Sequence, residues 1–201
     1  ETEAVMGLLR PFGIEAPPGP ARVYANAKLF DRISLSVGSD PIIGLHISSR
    51  KPSQRWPIEK FSELAKRLFM SRKARFLLFW SPGSEQNPLH PGDDEKAKRL
   101  IALCDEIPLI PMPTYRLEEL IAGLAHCNQV ICSDGGAMHL AAGLGKPIIC
   151  FFGNSNPARW HPWSVPYELL QPDSLDVSDI SVDDAFKAYE RLENRLDKHV
   201  H

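Results

Sequence analysis

The chain has 201 residues, 43% of them apolar, which is enough for one domain with a core that buries roughly 70% of its unfolded surface. A formal charge of -2 and an isoelectric point near 6.4, with no basic cluster beyond short pairs, give no electrostatic footprint for nucleic acid, so none is expected as a partner. No apolar stretch approaches the ~18 residues of a membrane-spanning helix and the opening residues lack a basic-then-apolar leader pattern, so a cytoplasmic setting is expected.

In chain order, Glu1 to Ile14 reads as the tail of a preceding segment, and Ala16 to Ala21 (APPGPA) as an extended linker that no helix can continue. The expected division is 1–21 as an interdomain helix end and linker and 22–201 as one α/β domain. Residues 22 to 40 are open to a short strand and a loop, with Gly38, Ser39, Asp40 and Pro41 marking a turn. Ile42 to Ile47 is the first clear strand. After it come the polar loop SSRKPSQR and a helix with Ile58, Phe61, Leu64, Ala65 and Leu68 at helical spacing and Pro57 in its first turn. The loop is unusually basic. Arg50, Lys51 and Arg55, with the hydroxyls of Ser48 and Ser49, are suited to grip a pyrophosphate by charge-assisted hydrogen bonds, although a solvated loop is the plainer reading of composition alone.

Phe76 to Trp80 is the second strand. It opens into a loop punctuated by Pro82, Gly83, Pro88, Pro91 and Gly92, and Asp93 to Glu95 then favour the dipole of the next helix. Glu85 lies near the strand's carboxyl end, where a carboxylate can hold a ribose diol or stand as an exposed loop acid. Leu109 to Ile110 is a short strand among prolines, and Thr114 is placed to cap a helix whose core face is Leu117, Leu120, Ile121 and Leu124.

Val130 to Cys132 is short and apolar, as a buried parallel strand should be, and it ends at Asp134. Gly135 and Gly136 are read as letting the backbone turn sharply and approach a ligand, before a helix that Gly145 ends with Pro147 just beyond. Asp134 and the free N–H groups of the helix start then lie where open α/β sheets bind anionic ligands. His139, one turn into that helix, either faces the ligand or packs; Trp160 and Trp163 read as loop packing or as a wall of a sugar pocket. A strand at Tyr167 to Leu170 follows, then a helix from about Val182 with a capping box of Ser181 and Asp184 and a core stripe of Val182, Ala185, Tyr189, Leu192 and Leu196. Cys104, Cys127, Cys132 and Cys150 lack zinc-type spacing and read as buried free thiols, so no metal site is expected.

The alternation makes the fold class α/β, a doubly wound parallel sheet of Rossmann-like type with right-handed crossovers. No GxSxG elbow is present and no GxGxxG follows the first strand, which sets aside the usual hydrolase and dehydrogenase readings. What remains is a set of βα loops suited to a nucleotide-diphosphate sugar: cations and N–H groups for phosphates, Glu85 for ribose, Asp134 for sugar hydroxyls and His139 as a phosphate donor.

The stretch DGGAMHLAAGLGKPIICFFGNSNPARWHP, from Asp134, resembles the signature of the heptosyltransferases of glycosyltransferase family 9. In that pattern an Asp, a Gly and a His precede AA-LG-P and then FG---P--W-P; Asp134, Gly136 and His139 take those places, and Gly135 stands where the family usually has Ser or Thr. Leu8, Leu9, Arg10, Phe12, Gly13 and Ile14 resemble the LLR-LGI helix end between the family's two domains, and the likeness runs to about Leu196. The family's hydroxyl pair and basic residue before Trp-Pro imply diphosphate contacts for Ser48, Ser49 and Arg55. Many members have Lys where this chain has Gln54, so Arg55 or Lys51 supplies the charge, and the place of Arg55 directly before Trp56 favours it. Gly83, Ser84 and Glu85 match a G-x-E that holds the ribose.

The resemblance implies the C-terminal half of a GT-B fold that binds a nucleotide-activated heptose, usually ADP-linked, for inverting transfer to the lipopolysaccharide inner core. The family's base is an Asp of the N-terminal domain, so no catalytic residue is assigned here. The implied substrate-binding set is Ser48, Ser49, Lys51, Arg55, Glu85, Asp134, Gly135, Gly136 and His139. No cofactor or divalent metal is required by this reading. The implied partners are the nucleotide sugar and, through the other domain, a bacterial lipopolysaccharide core acceptor, with peripheral contact at the cytoplasmic face of the inner membrane. A non-catalytic nucleotide-binding module and a related transferase using another nucleotide sugar stay open as alternatives.

Overall fold

In the computed structural model, which describes residues 2–33, 40–87 and 91–198, the strong apolar runs of the sequence form one parallel sheet. Its strands are β1 (Ile42–His46), β2 (Arg75–Trp80), β3 (Leu109–Pro113), β4 (Gln129–Ser133), β5 (Ile148–Phe151) and β6 (Tyr167–Leu170), in the spatial order β3-β2-β1-β4-β5-β6. The chain builds outward from β1 to β3, then crosses back to lay β4 on the other side of β1, so the order reverses between β1 and β4. At such a reversal the loops leaving the two strands diverge to opposite faces and leave a crevice at the carboxyl edge.

Helices cover both faces because successive strand residues point opposite ways. In β2, Phe76, Leu78 and Trp80 join a core with α3 (Ile58–Arg72), α4 (Asp94–Leu103) and α8 (Val182–Lys198), while Leu77 and Phe79 join another with α5 (Leu117–Ala125) and α6 (Gly136–Gly143). The expected α8 stripe is core: Val182, Ala185, Tyr189 and Leu192 are buried and Leu196 packs at the edge. Trp56 fastens the chain entering α3, since its indole donates to the Ile180 carbonyl at 3.0 Å and its ring meets Phe61 at 4.8 Å and Phe151 at 4.7 Å. All four cysteines are buried and unbridged, and burial pushes the Cys127 and Cys132 thiols up to about 12, far from reactive thiolates.

Several local expectations are corrected. Residues 27–32 are a helix, α2 (Ala27–Arg32), rather than a strand, capped by the Asn26 side chain; Gly38 and Ser39 of the expected turn, and Pro88, lie outside the described residues. β3 extends through Pro111 and Pro113, which an edge strand tolerates because one side has no ladder to join. Thr114 does not cap α5. Its hydroxyl donates to the Trp80 carbonyl at 2.8 Å, the cap is Arg116, and Leu117 is 60% exposed. Pro57 caps α3 from outside its first turn. The Ser181 oxygen accepts from the Asp184 N–H at 3.0 Å, but the Asp184 carboxylate takes the Ser181 hydroxyl rather than its backbone N–H, half of the expected box.

Before the sheet lie α1 (Thr2–Gly7), a one-turn 3₁₀ helix at Arg10–Phe12 and an irregular stretch to Asn26. The Trp163 indole donates to the Gly19 carbonyl of that stretch at 3.0 Å. The remaining short helix is α7 (Pro157–Trp160).

Candidate nucleotide-sugar site

The crevice between β1 and β4 holds a cavity of about 360 Å³, with His46, Ser48, Ser49, Arg50, Lys51 and Gln54 on one side and Ser133, Asp134, Gly135, Gly136 and Ala137 on the other. The first wall is the loop that leaves β1. It is held to the next strand by the Ser48 hydroxyl, which accepts from the Ser81 N–H at 2.8 Å, and it ends in a one-turn 3₁₀ helix at Pro52–Gln54. The second wall is the turn from β4 into α6. Asp134 extends the ladder by one bond, its N–H donating to the Phe151 carbonyl at 2.9 Å, which fixes the carboxylate at the strand end.

Of the two purposes expected of the glycines in that turn, the sharp change of direction is not one they are needed for. Gly135 has φ 162 and ψ -172, an extended conformation open to any residue, and a Cβ at Gly135 or Gly136 would meet nothing within 4 Å. The sharp turn therefore does not require them; their lack of side chains leaves the cavity open. Among the described residues, no backbone carbonyl accepts from the N–H groups of Gly135, Gly136 or Ala137. These are orphan donors at the positive end of α6, directed by helix geometry at whatever occupies the turn.

Charge in the cavity is mixed. Lys51 and Arg50 are exposed at its rim, Asp134 is half-buried, and Gln54 is only 5% exposed. The Gln54 amide nitrogen donates to Asp134 Oδ2 at 2.9 Å and lies 3.4 Å from Ser155 Oγ, while its oxygen accepts from Ser49 Oγ at 3.3 Å. Burial lowers the His46 pKa to about 4, against a smaller upward pull from Asp93, so the imidazole is neutral near pH 7. Among the described residues no cluster of His, Cys, Asp and Glu could hold a metal ion, and no helix is long and apolar enough to cross a membrane.

Six of the nine residues singled out in the sequence meet in this cavity: Ser48, Ser49, Lys51, Asp134, Gly135 and Gly136. Arg55 and Glu85 line a second hollow of about 380 Å³, with Ile47, Trp56, Pro57 and Lys96. There the Arg55 guanidinium is turned back on its own loop, its Nε donating to the Ser49 carbonyl at 3.0 Å and its Nη2 to the Arg50 carbonyl at 3.3 Å. Glu85 lies 3.1 Å from Lys96, which also holds Asp93 at 2.5 Å. His139, exposed on α6, borders a third hollow with Trp160, His161 and Trp163; its ring meets Trp160 edge-on at 6.2 Å. Sequence reasoning missed His46 and Gln54. His46 carried a usable signal, being the last residue of a strand that ends at the carboxyl edge, whereas nothing local marks Gln54 as buried.

Comparison with known proteins gives concordant findings. The model of Glycosyltransferase family 9 (heptosyltransferase) matches residues 12–188. Lipooligosaccharide heptosyltransferase 2 of Haemophilus influenzae is 29% identical over 146 residues, a match covering 72% of this chain and 40% of that enzyme. Among solved structures, a glycosyltransferase family 9 protein from Veillonella parvula has a TM-score of 0.81 at 22% identity, covering 96% of this chain and 59% of that one. The E. coli heptosyltransferase WaaC, solved with ADP, has a TM-score of 0.70 at 22% identity, covering 92% of this chain and 53% of that one. The chain thus spans between two fifths and three fifths of each of these proteins, and the structural likenesses carry the fold: an α/β Rossmann-like sheet like that of GT-B heptosyltransferases.

Proposed function

The chain belongs to glycosyltransferase family 9, and on that premise we propose that it is the donor-binding domain of an inverting glycosyltransferase of lipopolysaccharide synthesis, with ADP-heptose as its nucleotide sugar. The observation that carries this reading is the cavity at the β1–β4 crevice, where a lysine, two hydroxyls, a carboxylate and the N–H groups of a helix start, unpaired among the described residues, converge. The diphosphate lies against the N–H groups of Gly135, Gly136 and Ala137 with Lys51 over it, and a free oxygen of Asp134 accepts from a sugar hydroxyl. Glu85, in the neighbouring hollow, takes the ribose diol.

The chemistry open to these residues is stabilisation of the departing nucleoside diphosphate. Fixed dipoles and a cation held beside the leaving group lower the barrier because they need no rearrangement as charge develops. No base is assigned among these residues; the acceptor and the group that deprotonates it belong to the part of such an enzyme outside this chain. The lysine and the helix start supply positive charge to the phosphates from the protein itself. Work on the cytoplasmic side, with peripheral contact at the inner membrane, fits a lipopolysaccharide acceptor.

Titration calorimetry with ADP tests this reading and also decides between the two loop cations. The sequence pattern favours Arg55, but the guanidinium is committed to two backbone carbonyls, while Lys51 lines the cavity with no such commitment among the described residues. Lys51→Ala is expected to weaken ADP binding about tenfold, as for one charge-assisted contact, and Arg55→Ala by clearly less, showing instead as a loss of stability. Absence of heat with ADP for a folded sample would remove the proposal. A larger effect of Arg55→Ala would move the diphosphate to the second hollow.

A further inference from the structure

Four polar residues are buried among the described residues, Gln54, Ser62, Asp93 and Gln129, and of these Gln54 lines the central cavity. Its amide is asymmetric in what it can accept and donate, and its surroundings dictate which way it lies. Asp134 as a carboxylate can only accept, so the amide nitrogen must face it; the oxygen then faces Ser49, whose hydroxyl can donate. The side chain thereby ties together the loops after β1, β4 and β5, the last through Ser155. Its seat is also fixed from outside the cavity. A Cβ at Gly153 would collide with the Ser53 carbonyl oxygen, so the 3₁₀ turn carrying Gln54 rests directly on the backbone of the β5 loop. Gln171 steadies that loop, donating to the Gly153 and Ser155 carbonyls at 2.8 and 3.0 Å.

The consequence falls on Asp134. One carboxylate oxygen is taken by Gln54, and the other has no hydrogen-bond partner among the described residues. A neutral donor holds the group in place without cancelling its charge, as an arginine or lysine would. A fixed, uncancelled carboxylate repels a diphosphate and welcomes uncharged hydroxyls. Resting on the donor-site reading above, we propose that Gln54 is a positioning residue that aims Asp134 at a sugar hydroxyl, and so sets the preference for a nucleotide sugar over the bare nucleoside diphosphate.

The test compares the affinities of the full 201-residue chain for ADP and ADP-heptose, taking their ratio as the sugar preference. Gln54→Met keeps the volume and removes the amide; it is expected to lower the preference about tenfold while ADP affinity stays within about twofold, as for two side chains of one network. In an Asp134→Ala background the same substitution is expected to change the preference no further. Gln54→Glu gives a second readout that packing alone would not move. It sets two carboxylates against each other, so the preference is expected to be lost at pH 8 and to recover as the pH falls and the pair comes to share a proton. The proposal is overturned if Gln54→Met keeps the preference, if it weakens ADP and ADP-heptose alike, or, should that variant not fold, if the preference of Gln54→Glu does not depend on pH. Unmodified chain that binds ADP with no gain from the sugar overturns it while leaving diphosphate binding intact; chain that binds neither removes the donor-site reading and this inference together.

Discussion

Truncation of Phe151 to alanine is expected to cost about 3–5 kcal/mol of folding stability, the usual penalty for emptying a large aromatic site in a packed core. Phe151 ends β5 with no exposed surface and packs 4.7 Å from Trp56 and 6.4 Å from Phe61, ring centre to ring centre. β5 itself is hydrogen-bonded on both sides, to β4 and β6, and cannot shift into the space, so the cavity term adds to the lost transfer energy. For a domain of this size each kcal/mol lowers the melting temperature by about 2–4 °C, so the expected drop is about 6–20 °C. Urea or thermal unfolding measures it; a loss below about 1 kcal/mol would mean that the ring is less enclosed than described. The change also reaches the cavity, because Trp56 lies two residues from Gln54 and loses one of its two aromatic supports.

Asp134→Ala has the largest expected effect on function. If the free oxygen of Asp134 meets the sugar, its removal abolishes the preference for ADP-heptose over ADP, a loss of at least about tenfold, or ~1.4 kcal/mol. In a preparation that transfers sugar, turnover falls by a similar factor or more. Stability changes much less. The buried Gln54 amide keeps Ser155 as a neighbour but loses its carboxylate, worth roughly 1 kcal/mol and a few degrees of melting temperature. Binding titrations alongside melting curves separate the two effects, and a variant that keeps its sugar preference would reduce Asp134 to a turn residue.

Strand positions were legible because apolar runs such as Ile42–Ile47 and Phe76–Trp80 leave few alternatives in a chain that alternates with amphipathic helices. The misreadings share one cause: competition settled by tertiary contacts. Pro111 and Pro113 look like strand breakers until β3 proves to lie at the edge, where β2 is its neighbour on one side alone. Thr114 looks like a cap until the Trp80 carbonyl claims its hydroxyl.

The same holds at the site. Asp134 and Ser48 follow from the rule that ligands gather at the carboxyl ends of parallel strands. The divergence of Lys51 and Arg55 does not, because an irregular loop has no period from which side-chain direction can be read. Gln54 was beyond local reasoning altogether, since the partners that bury it lie 80 and 101 residues further along the chain.

The β1–β4 crevice is the proposed seat of the nucleotide sugar. A crystal structure of this chain with ADP-heptose tests it most directly. The diphosphate oxygens should lie within hydrogen-bond reach of Lys51 and of the N–H groups of Gly135, Gly136 and Ala137, with a sugar hydroxyl on the oxygen of Asp134 that Gln54 leaves free. A diphosphate seated instead in the hollow of Arg55 and Glu85, with no ligand atom touching Asp134, would contradict it.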